Sequence, residues 1–261
     1  MTKPPYTTRL QAGLGLVPET IRLLDLWQPE MDAQTLLKTA LSSGSFPNVA
    51  ARRLRNIVTE GFAPRYLIEA GAPAHSLKAL SQALSATDFK HLLFFYTCRA
   101  NRILGDFVQD VFWARYAAGA TEVSKAEALE FVRRAVSDGV TTTHWSESTI
   151  TRVASYLLGA CADFGLLGSM RREARPILSF RPGQMVIAFV AHDLHFGGVG
   201  DNGLLQHDDW RLFGLEPGDV LSELKRLALR GDIIVQTAGN AVQISWKAKS
   251  MEEFAHGLTQ G

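Results

Sequence analysis

The segment spanning residues 124–180 limits the fold most, because its residue pattern changes period twice in a fixed order. Ser124 and Glu127 have the S-x-x-E spacing of a capping box, ahead of a helix whose apolar residues include Leu129, Val132 and Val136. Gly139 and the run Val140-Thr141-Thr142-Thr143 break that helix. A second helix starts near Ser146 and places Ile150, Val153, Leu157, Cys161 and Phe164 at steps of three and four, with Gly165 positioned for a left-handed cap. Leu166-Leu167 and Ile177-Leu178-Ser179-Phe180 read as strands around Met170-Arg171-Arg172-Glu173-Ala174-Arg175-Pro176. Two helices and a two-stranded wing make the outline of a winged helix-turn-helix, whose second helix enters a DNA groove while the wing lies beside the phosphates.

The side of the second helix opposite its apolar stripe carries Ser148, Thr149, Arg152 and Ser155. Short hydroxyls around one guanidinium can approach a phosphate backbone closely, and Arg152 could reach a base edge. An ordinary solvated helix face is the competing reading, although such faces usually hold more Glu and Lys. The candidate DNA contacts here are Ser148, Thr149 and Arg152, with Arg171, Arg172, Arg175 and Arg181 on or beside the wing.

The net charge of +1 hides an asymmetry that bears on this reading. Residues 1–181 carry 21 Lys and Arg against 16 Asp and Glu, whereas residues 182–261 carry 6 against 10. A polyanion should therefore meet the first two-thirds of the chain. Arginine supplies 19 of the 27 basic residues, which favours bidentate phosphate and guanine contacts. A hydrophobic content of 46% with 20% charged residues is that of a folded soluble domain. Cys98 and Cys161 are far apart and lack C-x-x-C spacing, as expected of buried thiols in a reducing cytosol. No leader-like apolar region follows Met1-Thr2-Lys3-Pro4-Pro5, and the apolar runs at 92–96 and 185–191 are far too short to span a membrane. A cytoplasmic monomer is expected.

Toward the N-terminus, Pro18 can start a helix containing Ile21, Leu24 and Trp27, which Pro29 ends. Asp32 is placed to cap the next, with Leu36, Leu37 and Leu41 as its inner face, and Ser42-Ser43-Gly44-Ser45 follows as a turn. A third helix is expected from about Pro47 to Glu60, presenting Arg52, Arg53 and Arg55 outward. Helix, turn and basic helix again outline a helix-turn-helix, which makes these three arginines candidate DNA contacts. The alternative is that they snorkel over a helical bundle and pair with acids such as Glu60 or Glu69. Residues 74–120 read as the packing centre, with Leu77, Leu80 and Leu84 on one helix and a longer one from about Asp88 carrying Leu92, Phe95, Ile103, Phe107, Val111 and Phe112.

The last eighty residues hold a second winged-helix pattern. Asp219 is placed to cap a helix lined by Val220, Leu221, Leu224, Leu227 and Ala228, and residues 233–237 and 241–246 alternate around Ala238-Gly239-Asn240 as a hairpin. The region is acidic, its wing tip has no basic residue, and Lys225, Arg226 and Arg230 are the only candidate DNA contacts on its second helix, so protein binding is the preferred role. The expected fold is mainly α, a compact multi-helix globule with helix-turn-helix elements and small winged-helix-like β-hairpins. Three parts are expected, packed as one globule: a helical segment with the basic helix (1–72), a helical core leading into the winged helix-turn-helix (73–181), and the acidic winged-helix-like module (182–261).

Motifs for catalysis are missing. His192, His195, His207, Asp208 and Asp209 are the one group of metal-ligand type, but H-E-x-x-H is absent and Gly197-Gly198 interrupts the local geometry. The glycine-rich loop at 197–203 is not followed by Lys-Ser/Thr, Gly13-Leu14-Gly15 is too short for a dinucleotide fingerprint, and no G-x-S-x-G occurs. No enzyme activity, cofactor or metal is expected.

Three segments carry a family resemblance: Tyr6-Thr7-Thr8-Arg9-Leu10; Ser43-Gly44-Ser45-Phe46-Pro47-Asn48 running into Arg52-Arg53-Leu54-Arg55; and Trp145-Ser146-Glu147-Ser148-Thr149 through Phe164-Gly165-Leu166-Leu167. In these the chain resembles the BrxA family, small core components of BREX bacteriophage-exclusion systems. The resemblance implies a mostly helical, non-catalytic protein that binds double-stranded DNA, within an operon that methylates host DNA and blocks phage replication. It supports the basic helix at Arg52, Arg53 and Arg55 and the helix-wing segment from 148 to 181. An inner-membrane label sometimes attached to the family conflicts with this composition. A reported likeness to the NusB antitermination protein keeps RNA open as a ligand. A scaffold docking methyltransferase or ATPase components is the other reading.

Overall fold

The computed structural model describes residues 3–12, 16–239 and 241–259. The chain divides into two compact units, one of Met1–His75 and Leu93–Phe180, the other of Ser76–Leu92 and Arg181–Gly261. The fold is mainly α with two small antiparallel β-ladders. Among the described residues, no helix is long and apolar enough to cross a membrane.

The first unit opens with α1 (Val17–Leu26) and α2 (Ala33–Ser42). Pro18 lies in the first turn of α1, and the Asp32 carboxylate accepts from the Thr35 N–H at 2.7 Å to cap α2. The inner faces match the sequence reading at Leu24, Trp27 and Leu36, which are buried, and differ at Ile21 and Leu41, which are exposed while Leu23 and Ala40 are buried instead. The third helix begins at Ala51 rather than Pro47 and runs well beyond Glu60. It consists of α3 (Ala51–Asn56), a widened π-helical stretch over Ile57–Phe62, and α4 (Ala63–Tyr66).

Helices α5 (Ala72–Leu80) and α6 (Ala86–Ala100) each contribute residues to both units. Leu84 lies beyond the end of α5, and the long helix expected from Asp88 is interrupted at Asn101 before α7 (Arg102–Phe107), a second π-helical stretch (Val108–Phe112) and α8 (Trp113–Ala117). Phe94 anchors the first unit's core, meeting Phe164 at 5.5 Å and Phe180 at 5.3 Å between ring centroids. Strand β1 (Glu122–Ser124), α9 (Lys125–Ser137), α10 (Glu147–Asp163) and β2 (Ala174–Pro176) complete it.

The second unit is built on α11 (Gln184–Phe196), α12 (Asp201–Leu205), a 3-10 segment (Asp208–Phe213), α13 (Pro217–Leu229), the hairpin β3 (Ile233–Ala238) and β4 (Ala241–Trp246), and α14 (Met251–Thr259). The α13 cap is Glu216, with Asp219 three residues inside as the reciprocal partner, a correction of one turn. Pro217 after Glu216 fixes the first helical residue there.

The histidines do not form a ligand cluster. His192 is buried, its Nδ1 donates to the Ala188 carbonyl at 2.7 Å, and its ring stacks on Phe254 at 4.0 Å. His195 lies flat on Trp246, and His207 faces Asp209 at 3.3 Å. Among the described residues no group of three His, Cys, Asp or Glu could hold a metal ion.

Burial pushes both His192 and His91 of this unit down to about 4, from the usual 6.5. The unfolded chain therefore takes up protons near pH 6.5 that the folded unit refuses until about pH 4. Stability from these neutral rings is full above pH 6.5 and is lost as pH falls toward 4, by an amount on the order of a few kcal/mol. Urea titrations at stepped pH should show this loss, and His192→Phe should flatten the profile whatever it does to absolute stability. An unchanged slope in that variant would contradict the assignment.

Candidate nucleic-acid interface

Helix α10 is fixed by its buried side. Ile150, Val153, Leu157, Cys161 and Phe164 are all buried, and Gly165 closes the helix at φ 86°. The helix start is fixed by Ser146, whose hydroxyl accepts from the Thr149 N–H at 3.4 Å and lies 3.0 Å from the Ser148 hydroxyl. The remaining side is then forced outward, with Ser148, Arg152 and Ser155 exposed and Thr149 half-buried. Arg152 Nη2 lies 3.4 Å from Thr149 Oγ1, so the guanidinium folds back along the first turns of the helix. The structure thus brings Ser148, Thr149 and Arg152 together.

Two features of this helix start were missed in the sequence. Glu147 would repel an anion there, but Arg133 of α9 holds its carboxylate at 3.0 Å, which keeps Glu147 ionised and offsets its charge. In addition, the turn between α9 and α10 is clamped by the N-terminal segment. The Tyr6 N–H donates to the Val140 carbonyl at 2.7 Å, and Tyr6 in turn accepts from Thr142 at 3.0 Å. The Tyr6 hydroxyl donates to Asp106 at 2.7 Å, and burial with that carboxylate pushes its pKa up. Neither contact is periodic or local, so no sequence signal marks it.

The wing also differs from its outline. The expected pair of strands is reduced to a bridge between Leu167 and Ile177, flanked by Leu178 N–H to Leu166 O (2.9 Å) and Gly168 N–H to Pro176 O (2.8 Å). The longer ladder joins β2 to β1, with Ser124 opposite Ala174 and Val123 opposite Arg175. Strand β1 comes directly before α9, so Ser124 ends the strand and also caps the helix, in a capping box with Glu127. Phe180 has left the wing for the core.

Of the wing arginines, Arg171 and Arg172 are exposed at the tip, where Arg172 adopts a left-handed φ of 56°. Arg175 is half-buried and donates through Nη1 to the Gly168 carbonyl at 2.9 Å, so it ties the hairpin together. Arg181 belongs to the other unit, where it pairs with Glu223 at 3.2 Å; the same carboxylate takes Arg226 at 2.8 Å. Arg52, Arg53 and Arg55 are exposed on α3, a group separate in sequence from α10 and the wing. Among the described residues, Arg52, Arg55, Arg152, Arg171 and Arg172 make no ion pair with an acid.

The BrxA family profile matches residues 4–193, which takes in α3, α9, α10 and the wing. The chain belongs to the BrxA family. Membership gives it a role associated with BREX phage exclusion. The match ends before α13 and the β3–β4 hairpin. The fold is similar to that of an uncharacterized protein from Magnetospirillum magneticum seen by crystallography, at 15% identity and a TM-score of 0.57, covering 80% of this chain and 98% of that one. A comparison with curated proteins finds no match.

Left-handed backbone disfavours any side chain but glycine, so the Arg at 172 is held at a cost to stability of roughly 1–2 kcal/mol. Arg172→Gly should therefore leave urea stability unchanged or raise it by up to about 1 kcal/mol. Arg175→Ala should lower it by about 1–2 kcal/mol through loss of the Gly168 bond. Equal destabilisation by both would contradict the distinction between a presented arginine and a structural one.

Proposed function

We propose that the chain binds double-stranded DNA, without catalysis, as an accessory component of the BREX apparatus. Helix α10 would enter a groove with Ser148, Thr149 and Arg152 foremost, and Arg171 and Arg172 at the wing tip would lie against phosphates. Arg52, Arg53 and Arg55 on α3 supply a second set of backbone contacts. The observation that carries this reading is the distribution of ion pairs. Arg171, Arg172 and Arg152 have no acidic partner, whereas on the corresponding helix of the second unit Arg226 is taken by Glu223, and Arg230 faces Asp232 at 3.6 Å. Cations left without a counter-charge by the fold are those free to displace counterions from a polyanion.

One guanidinium among short hydroxyls is a poor base-reading set, so binding is expected to tolerate sequence. Duplex RNA is the weaker ligand for this geometry, because the deep, narrow major groove of an A-form helix does not admit an inserted α-helix. The acidic second unit is then the part available to other BREX components.

Fluorescence anisotropy with a labelled duplex at several salt concentrations tests the reading. Log affinity should fall with log salt at a slope of about 0.9 per phosphate neutralised. The pair Arg171→Ala and Arg172→Ala should reduce that slope by about one unit per lost contact and weaken all duplexes alike. Replacing Lys225, Arg226 and Arg230 by Ala should have far less effect. Binding insensitive to salt, or lost only with the second set, would overturn the proposal.

A further inference from the structure

The turn that leads into α10 is held by a network centred on Tyr6, Arg102 and Asp106. The Val140 carbonyl takes the Tyr6 N–H, and the Thr142 N–H donates to the Tyr6 carbonyl. Among the described residues, Tyr6 is the one residue outside α9 and the turn itself that hydrogen-bonds to the backbone of 140–143. The bridge is parallel, with Tyr6 beside Thr141, so the chain leaves Tyr6 in the direction in which the turn runs toward Ser146. It then enters the short 3-10 segment Arg9–Ala12, which packs on α10.

Tyr6 is held in turn by α7. Arg102 Nε lies 3.0 Å from Asp106 Oδ2, its Nη1 donates to the Pro4 carbonyl, and its guanidinium sits 4.8 Å from the centroid of the Tyr6 ring. Asp106 also accepts the Tyr6 hydroxyl at 2.7 Å. One planar guanidinium thus grips the backbone before Tyr6, covers its ring and orients the acid that takes its hydroxyl, a division of donors that a point charge does not reproduce. Nε and Nη1 are both committed inside the unit, whereas Arg171 and Arg172 are presented at the wing tip.

We propose that Arg102 is a positioning residue for the duplex-facing start of α10, acting through Pro4 and Tyr6 on the α9–α10 turn. This rests on the DNA-binding reading above. The buried stripe fixes the rotation of the helix body, but Ser148 and Thr149 lie in the first turn, ahead of Ile150 where that stripe begins. The Tyr6 bridge holds the beginning of the connecting turn, and buried Trp145 holds its end. With the bridge released, Trp145 alone seats the residues before the Ser146 cap. The fraction of molecules with a binding-competent helix start then drops, which lowers apparent affinity in proportion. The phosphate contacts themselves are untouched, so the salt slope, which counts them, stays as it was.

Arg102→Ala, Tyr6→Phe and their combination, compared with Arg171→Ala as a contact variant, separate positioning from contact. Without DNA, hydrogen exchange in peptides covering 140–146 should quicken in Arg102→Ala and less so in Tyr6→Phe, with those covering 153–163 unchanged. Duplex affinity of Arg102→Ala should fall roughly two- to thirtyfold, the range for residues that act through a packed network, at an unaltered salt slope. Arg171→Ala should instead lower the slope by about one unit. The combined variant should lose little more affinity than Arg102→Ala alone, since both changes release the same latch. Tyr6→Phe, which deletes one hydroxyl, carries the same readouts if Arg102→Ala fails to fold. Unchanged exchange at 140–146, or a salt slope that falls with Arg102 or Tyr6, would overturn the proposal, as would an affinity altered by less than about twofold. Absence of duplex binding by the unaltered protein would sink the DNA reading by itself, and the exchange comparison would still decide whether Arg102 holds the turn.

Discussion

One-sided burial of α10 governs what the first unit can present. Ile150, Val153, Leu157, Cys161 and Phe164 are packed inside, and each large apolar side chain contributes about 1.5–3 kcal/mol by leaving water. A helix so anchored cannot rotate by one residue without pulling this stripe into solvent and driving Arg152 into the core. The exposed hydroxyls and guanidinium are thus oriented by the buried residues on the opposite side of the helix. The Tyr6 clamp on the preceding turn and the β1–β2 ladder hold the helix start and the wing to the same frame.

The parts legible in the sequence were those where a local period or cap declares itself. The stripe of α10, the Ser124–Glu127 capping box, the Asp32 cap and the β3–β4 hairpin all stand where their patterns put them. What escaped was non-local or too short. Strand β1 has three residues, so alternation cannot register, and its partner lies about fifty residues further on. Nothing in a run of arginines distinguishes Arg175, tied to Gly168, from Arg171 and Arg172 beside it; only burial separates them. Arg181 looked like part of the wing by proximity in sequence, but the chain passes into the other unit at that residue. Ile21 and Leu41 fit a helical stripe yet face water, because Leu23 and Ala40 already fill the inner positions.

The two helix-and-hairpin elements differ in how the fold pairs their charges. In the first, acids near the helix start and wing tip are answered by cations outside the candidate surface, Arg133 on Glu147 and Lys125 near Glu173 at 3.8 Å. Other arginines are left unanswered. In the second, Glu223 draws in both Arg181 and Arg226, and the hairpin strands carry no charge. The proposed salt-sensitive contact with a polyanion suits the first arrangement.

Hydrogen exchange measured with and without a saturating DNA duplex tests the central claim most directly, since it reads contact segment by segment. Exchange should slow in peptides covering 146–156 and 168–175, with those covering 217–246 unchanged at fixed protein concentration. Protection confined to 217–246, or duplex binding that leaves 146–175 unaltered, would contradict it.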